Sequence, residues 1–335
     1  MLRLIGLSFS IGLLLAVALA IGADDHHASK AITDPKQAGE DFKFQGEYAG
    51  TFDTGDGEEQ KFGLQVIALG DGKFRGMAYF GGLPGDGWDG FNKLEANGEL
   101  NDGELVLTAN EGSATIKDGK VTIRSADDEE LGTLEKVQRS SPTLGAKPPE
   151  GAVVLFDGKH VDAFEAGHLT DDGFLMPAVG RGSLSKKKFT DFTLHIEFRT
   201  PFMPKARGQG RGNSGVYLQD RYEVQVLDSF GLEGLNNECG GFYSIKAPSV
   251  NMCFPPLSWQ TYDIDFTAAR YDDAKKNKTK NARVTIRHNG VVIHDDVELP
   301  SGTPGQQKEG PEPAGLFLQW HGNPVVYKNI WVVEK

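Results

Sequence analysis

Residues 212–228 read GNSGVYLQDRYEVQVLD, and Glu223, Gln225 and Asp228 stand there among Tyr222, Val224, Val226 and Leu227. Side chains alternate across a strand, so Glu223 and Gln225 project to one face. Asp228 has the opposite parity and joins them only through a bulge or at the strand end. Residues 214–219 read as a partner strand, with Asp220-Arg221 between the two. An odd-length loop puts Tyr217 and Gln219 on the Glu223 face; an even one puts Val216 and Leu218 there. For a single strand, a polar face is the ordinary solvated side of an antiparallel sheet. Two further strands repeat the pattern, however, with His195, Glu197 and Arg199 on one and Gln319 and His321 on the other. Together with Trp259, Trp320 and Tyr217 these groups suit a sugar: hydrogen-bonding partners for hydroxyls and flat apolar faces for the ring.

Such a face needs a sheet to carry it, and the chain reads as all-β throughout. Residues 42–139 hold short alternating runs, such as Phe62, Leu64 and Val66, split by Gly70-Asp71-Gly72 and Asp118-Gly119. This spacing predicts a small all-β barrel or sandwich. Residues 140–150, with Pro142, Pro148 and Pro149, form a linker. Residues 151–335 carry longer strands. Phe192, Leu194, Ile196 and Phe198 alternate with the polar trio above, and His288-Asn289-Gly290 marks a hairpin before Val291. A two-sheet antiparallel sandwich of jelly-roll type follows, with one free face able to line a groove.

Composition narrows the partners. The 335 residues carry 35 Lys and Arg against 47 Asp and Glu, a formal charge of −12. That balance excludes a nucleic-acid backbone or an anionic membrane surface as the main partner. Met1-Leu2-Arg3, an apolar run over residues 4–19 and Ala18-Leu19-Ala20 read as a secretory signal peptide over residues 1–20. The expectation is a periplasmic or secreted protein without a stable membrane anchor after cleavage, opening on a disordered lead-in over residues 21–41. In an oxidising compartment the two cysteines, Cys239 and Cys253, are candidates for a disulfide, with two buried thiols as the alternative.

Several segments also resemble one family. Val154-Leu-Phe-Asp-Gly-Lys159, FTDFTLHIEFR (189–199), GNSGVYLQ (212–219), YEVQVLD (222–228) and GLFLQWHGNPVVYKNIWV (315–332) are similar, in order, to the 3-keto-disaccharide hydrolases. These are also described as 3-keto-glucoside 1,2-lyase/3-keto-2-hydroxy-glucal hydratase domains. The resemblance spans residues 151–335 and not the preceding β domain. It implies a concanavalin-like jelly roll, in agreement with the strand pattern. Ala163-Phe164 stands where the family carries a Trp, a departure expected at the rim of the site. The implied chemistry is removal of the C2 proton of a 3-keto-glycoside, β-elimination of the C1 substituent, and hydration of the resulting 3-keto-2-hydroxy-glucal. It requires a base of matched pKa, an acid for the leaving oxygen and a donor for the enolate oxygen. The resemblance makes Glu223 and His321 the acid–base pair, with Asp228 as a third catalytic candidate. Arg199 and Gln225 become enolate stabilisers, with a divalent cation on Glu223, Asp228 or His321 as the alternative. Tyr217, Gln319, Glu197, Asn213 and Trp259 complete the substrate contacts, although Asn213 and Ser214 are equally suited to a turn.

Two rival readings stay open on sequence. Glu223-x-Gln225-x-x-Asp228 is similar to the E-x-D-x-x-E strand of laminarinase-type glucanases, and a retaining glycosidase needs two carboxylates about 5 Å apart. A sandwich of this kind also serves as a non-catalytic glycan-binding module.

Overall fold

A computed structural model describes residues 30–53, 58–272, 274 and 277–335. The expected signal peptide lies outside the described residues. The lead-in expected to be disordered takes a defined path from Lys30 onward. Ile32 and Phe202 exchange backbone hydrogen bonds of 3.0 and 2.9 Å, and Phe42 packs edge-on against Phe202. A hydrophobic side chain every few residues is enough to pin this segment.

The first unit is a closed barrel of eight antiparallel strands. They are β1 (Gly46–Asp53), β2 (Glu59–Gly70), β3 (Lys73–Phe80), β4 (Lys93–Asn101), β5 (Glu104–Ala109), β6 (Gly112–Lys117), β7 (Lys120–Ser125) and β8 (Glu130–Val137). The period-2 pattern sends Tyr48, Leu64, Val66, Phe74, Leu107 and Leu134 inward, where they form the barrel core. Asp71, Asp102 and Asp118 all take positive φ in the tight turns, a conformation in which Asp is tolerated.

The second unit packs two antiparallel sheets face to face. Its strands are β9 (Val153–Phe156), β10 (His168–Leu169), β11 (Leu175–Met176), β12 (Ser183–Phe189), β13 (Phe192–Arg199), β14 (Ser214–Leu218), β15 (Tyr222–Val226), β16 (Gln260–Thr267), β17 (Arg270–Tyr271), β18 (Lys278–Lys280), β19 (Ala282–His288), β20 (Val291–Leu299), β21 (Ala314–Leu318) and β22 (Val326–Glu334). The larger sheet runs β10-β11-β22-β13-β16-β19-β20, with β9 also on β22; the smaller runs β12-β21-β14-β15. Phe192, Leu194, Ile196 and Phe198 face Val216, Leu218, Val224 and Leu316 across one core. The jelly-roll expectation is met. So is the Asn289-Gly290 hairpin, where φ of 51° and 84° gives the two left-handed residues that such a turn needs.

The barrel does not hang free. Outward side chains of β2 and β3, Ile67, Met77 and Tyr79, belong to the sandwich core. A polar relay runs along the barrel side of the junction: Tyr79 donates to Gln65 (2.9 Å), Gln65 to Glu47 (3.0 Å), and Arg139 to Glu47 (2.7 Å). The Pro-rich segment is no loose tether either. Thr143 Oγ1 donates to Asp263 (2.6 Å), Gly145 N to Glu197 (2.6 Å), and Asn329 Nδ2 to the Ala146 carbonyl (2.9 Å). The segment therefore lies on the outer face of the larger sheet.

Candidate active site

The groove lies on the outer face of the smaller sheet. Strand β14 pairs with β15 so that Tyr217 sits opposite Glu223 and Gly215 opposite Gln225. Leu218 pairs with Tyr222, which leaves a three-residue loop, and this odd length decides the parity. Val216, Val224 and Val226 turn into the core; Gly215, Tyr217, Glu223 and Gln225 turn out. Gln219 sits in the loop with φ of 52° and donates to the Phe189 carbonyl at 2.8 Å, so it does not join the groove.

Strand β15 is an edge, and two loops cover it. Glu223 N donates to Thr303 Oγ1 (2.8 Å) and Gln225 N to the Gly241 carbonyl (2.9 Å). The unpaired edge is thereby satisfied, and Pro304-Gly305 and Tyr243 become walls. The enclosed space is about 330 Å³, lined by Gln209, Asn213, Tyr217, Glu223, Gln225, Tyr243, Pro304, Gly305, Gln319 and His321.

Glu223 is 4% exposed. Burial disfavours its charged form and raises its pKa to about 7, against a smaller lowering by the Tyr217 hydroxyl. Burial and the neighbouring carboxylate in turn push Tyr217 well above its ordinary value. Tyr217 thus keeps its proton, and its hydroxyl oxygen accepts from Gln319 Nε2 at 3.2 Å. Two glycines make room. A Cβ on Gly215 would lie 2.3 Å from Glu223 Oε1, and one on Gly305 would lie 3.2 Å from the Tyr217 hydroxyl. Gln209 gathers the amides, accepting from Asn213 Nδ2 (3.0 Å) and Gln225 Nε2 (3.1 Å). The amide oxygens of Asn213 and Gln319 are buried without a partner among the described residues. Such atoms call for donors from a ligand.

Six of the ten sequence-chosen residues meet here: Glu223, His321, Gln225, Tyr217, Gln319 and Asn213. Four do not. Asp228 follows the end of β15, where its opposite parity carries it away. Its carboxylate takes a 2.7 Å hydrogen bond from Arg211 Nε, and Arg211 reaches on to the Ala68 carbonyl of the barrel (3.2 Å). Glu197 lies on β13 in the other sheet, covered by the linker and held by Gly145 N, Asn329 and His195. Arg199 and Trp259 are also on that far side, the guanidinium standing 5.1 Å from the Trp259 ring centre. The recurring polar strand was real, but it belongs to the opposite face of the sandwich. Cys239 and Cys253 are free, buried thiols rather than a disulfide. Cys239 Sγ lies 3.2 Å from the Tyr262 hydroxyl, and Cys253 Sγ lies 3.5 Å from the Leu227 carbonyl. Phe164, at the position of the missing Trp, is buried in the sandwich core rather than at a rim.

The family model for the 3-keto-alpha-glucoside-1,2-lyase-like domain matches residues 151–333, more than half of the chain. The chain belongs to this family. The lyase-like domain is thus the jelly roll, and it belongs to a carbohydrate-processing family. Among solved structures, a Parabacteroides distasonis protein provisionally named a glycosyl hydrolase is similar at 33% identity and a TM-score of 0.51, covering 56% of this chain and 85% of its own. A second protein of that organism, with the same provisional name, shows 19% identity and a TM-score of 0.42 over 56% of this chain and 94% of its own. No curated protein matches the chain.

Of the three residues named for a divalent cation, Asp228 is committed to Arg211, whereas Glu223 and His321 stay in the groove lining. Among the described residues no three His, Cys, Asp or Glu side chains gather as a metal site. Sequence reading missed Gln209, Tyr243, Pro304, Gly215 and Gly305. Gly215 alone carried a signal: a glycine facing two long polar side chains on the next strand marks a close approach.

Proposed function

We propose that the groove cleaves 3-keto-glycosides by elimination and hydration. The single observation that carries this reading is Glu223, a buried carboxylate whose pKa of about 7 suits a base at neutral pH. A ketone at C3 acidifies the C2 hydrogen. Glu223 takes that proton, the C2–H electrons form the C1–C2 double bond, and the C1–O bond breaks. His321, at the exposed rim, protonates the leaving oxygen as the aglycone departs. Gln225 and Gln319 donate to the oxygen that carries enolate charge, since Arg199 is on the far face. Water then adds across the double bond of the 3-keto-2-hydroxy-glucal: its hydroxyl goes to C1, its proton to His321, and the Glu223 proton returns to C2, which restores both groups. The net reaction consumes one water and releases free 3-keto-glucose and an alcohol.

A retaining glycosidase needs a second carboxylate beside the first. Glu223 is the one carboxylate in the groove lining, which disfavours that reading. The glycosyl hydrolase name of the Parabacteroides relative agrees with net glycoside cleavage and not with either mechanism in particular. Export to the periplasm or beyond is part of the proposal and is carried by residues 1–20. The test is incubation with a 3-keto-glucoside and with its unoxidised parent, each with and without EDTA. Cleavage of the keto form alone is expected. Cleavage of the parent overturns the elimination mechanism, and turnover of neither favours a binding module.

A further inference from the structure

The barrel is filled at one end and open at the other. Near the sandwich, Tyr48, Val66, Phe74, Leu105, Val121 and Leu134 are at most 1% exposed. Phe44, Phe202 and Leu257 pack into the same cluster and close that end. At the other end the inward positions of β3, β4 and β6 hold Ala78, Ala96 and Ala114, all only half-buried. Period-2 alternation directs these methyls to the axis, where a filled eight-stranded barrel has larger side chains. The result is an apolar cavity of about 190 Å³, also lined by Phe52, Phe62, Phe80, Leu94 and Ile123.

We infer that this cavity binds a small uncharged aromatic molecule of one or two fused rings. Its size sets the upper bound, since an apolar cavity of roughly 150 Å³ in another protein stays dry and takes up benzene. Its walls favour an aromatic occupant. Phe52, Phe62 and Phe80 meet with ring centres 4.8–5.7 Å apart in tilted and edge-on contacts, the geometry that a further ring extends. Charge excludes an anionic amphiphile. Glu111 lines the mouth, and Asp127, Asp128, Glu129 and Glu130 stand exposed in the β7–β8 turn at the same end. The cation of the lining, Arg124, is already held by the Asp128 carbonyl at 3.1 Å and the Glu130 carboxylate at 3.5 Å. A carboxylate head group would meet acidic residues and find no free cation in the lining.

The test is calorimetric titration of the full chain with indole, and with octanoate as an anionic apolar control. Saturable one-to-one indole binding with a rise in Tm is expected, with octanoate at least tenfold weaker. Ala96→Leu and, separately, Ala114→Val fill the cavity and are expected to weaken indole binding at least tenfold with Tm held or raised. The second variant serves if the first does not fold. Absence of saturable binding to the folded parent, unchanged indole affinity in a folded cavity-filled variant, or octanoate binding as tight as indole each overturns the inference. Glycoside turnover is not measured, so the outcome is independent of the reaction assigned to the groove.

Discussion

Glu223 joins two properties that usually oppose each other. A carboxylate with a pKa of about 7 is a base matched to neutral pH, and it is also a cost to the fold. Its folded pKa lies above the ordinary value, so the native state holds the proton more tightly than the unfolded chain. Stability from this group is therefore present below about pH 4.5 and lost as pH rises through 7. At pH 8 the Glu223→Gln variant is expected to be more stable by roughly 2–3 kcal/mol and to lose at least a thousandfold in kcat, read by thermal melts and turnover side by side. In the parent enzyme, kcat/KM is expected to fall about tenfold per unit as pH drops below 7, where Glu223 takes up its proton. A profile that is flat from pH 5 to 8 would remove Glu223 as the base. Gly215 belongs to the same scale. A methyl there would stand 2.3 Å from the carboxylate oxygen, so Gly215→Ala is expected to cut kcat by tenfold or more while the core side of β14 stays intact. Comparable activity would mean that the carboxylate works from another position.

Among the elements, β15 carries the site because it is an edge. A central strand has both neighbours fixed, whereas an edge strand accepts loops, and here the loops are the walls of the groove. Thr303 does both jobs: its hydroxyl accepts from Glu223 N at 2.8 Å and donates to the Arg221 carbonyl at 3.2 Å. Thr303→Val removes these bonds at a cost of about 1–2 kcal/mol. The expected outcome is a KM raised several-fold, with faster amide hydrogen exchange at Glu223 and smaller change in kcat. An unchanged KM would show that the loop at residues 301–309 is held by other contacts, such as Gln307 on Asp220.

At the scale of the molecule, barrel and sandwich are joined by buried charge. Arg211 links Asp228 of the sandwich to the barrel backbone. Asp228→Asn leaves a buried guanidinium without its charge partner, and breaking such pairs costs on the order of 3–5 kcal/mol. A lower Tm with near-parent kcat in the folded fraction is expected; a native Tm with a thousandfold loss of kcat would restore Asp228 to catalysis and revive the retaining glycosidase. The linker face behaves differently with pH. Burial lowers the pKa of His195, but hydrogen bonds to Asp263 and Glu197 outweigh it and raise the value to about 9. Its contribution, of order 2 kcal/mol, is complete below about pH 6.5 and is lost as pH rises through 9. His195→Gln is expected to flatten stability between pH 6.5 and 9 in urea melts.

Local pattern alone determined the all-β class, the inward faces of β13 and β16, the Asn289-Gly290 hairpin and the pairing of Glu223 with Gln225 on one face. These follow from alternation and turn chemistry, which act over a few residues. Tertiary structure decided the rest. Whether Tyr217 joins Glu223 depended on the odd loop between β14 and β15. Whether Glu197, Arg199 and Trp259 shared that groove depended on which sheet β13 enters, and two strands with the same polar alternation carry it on opposite outer faces of the sandwich. The walls came from loops distant in sequence, through Gln209, Tyr243 and Gly305, whose types carry no periodic signal. Asp228 reads as a catalytic carboxylate only until Arg211 is placed beside it, because a charge acquires its role from what surrounds it in space.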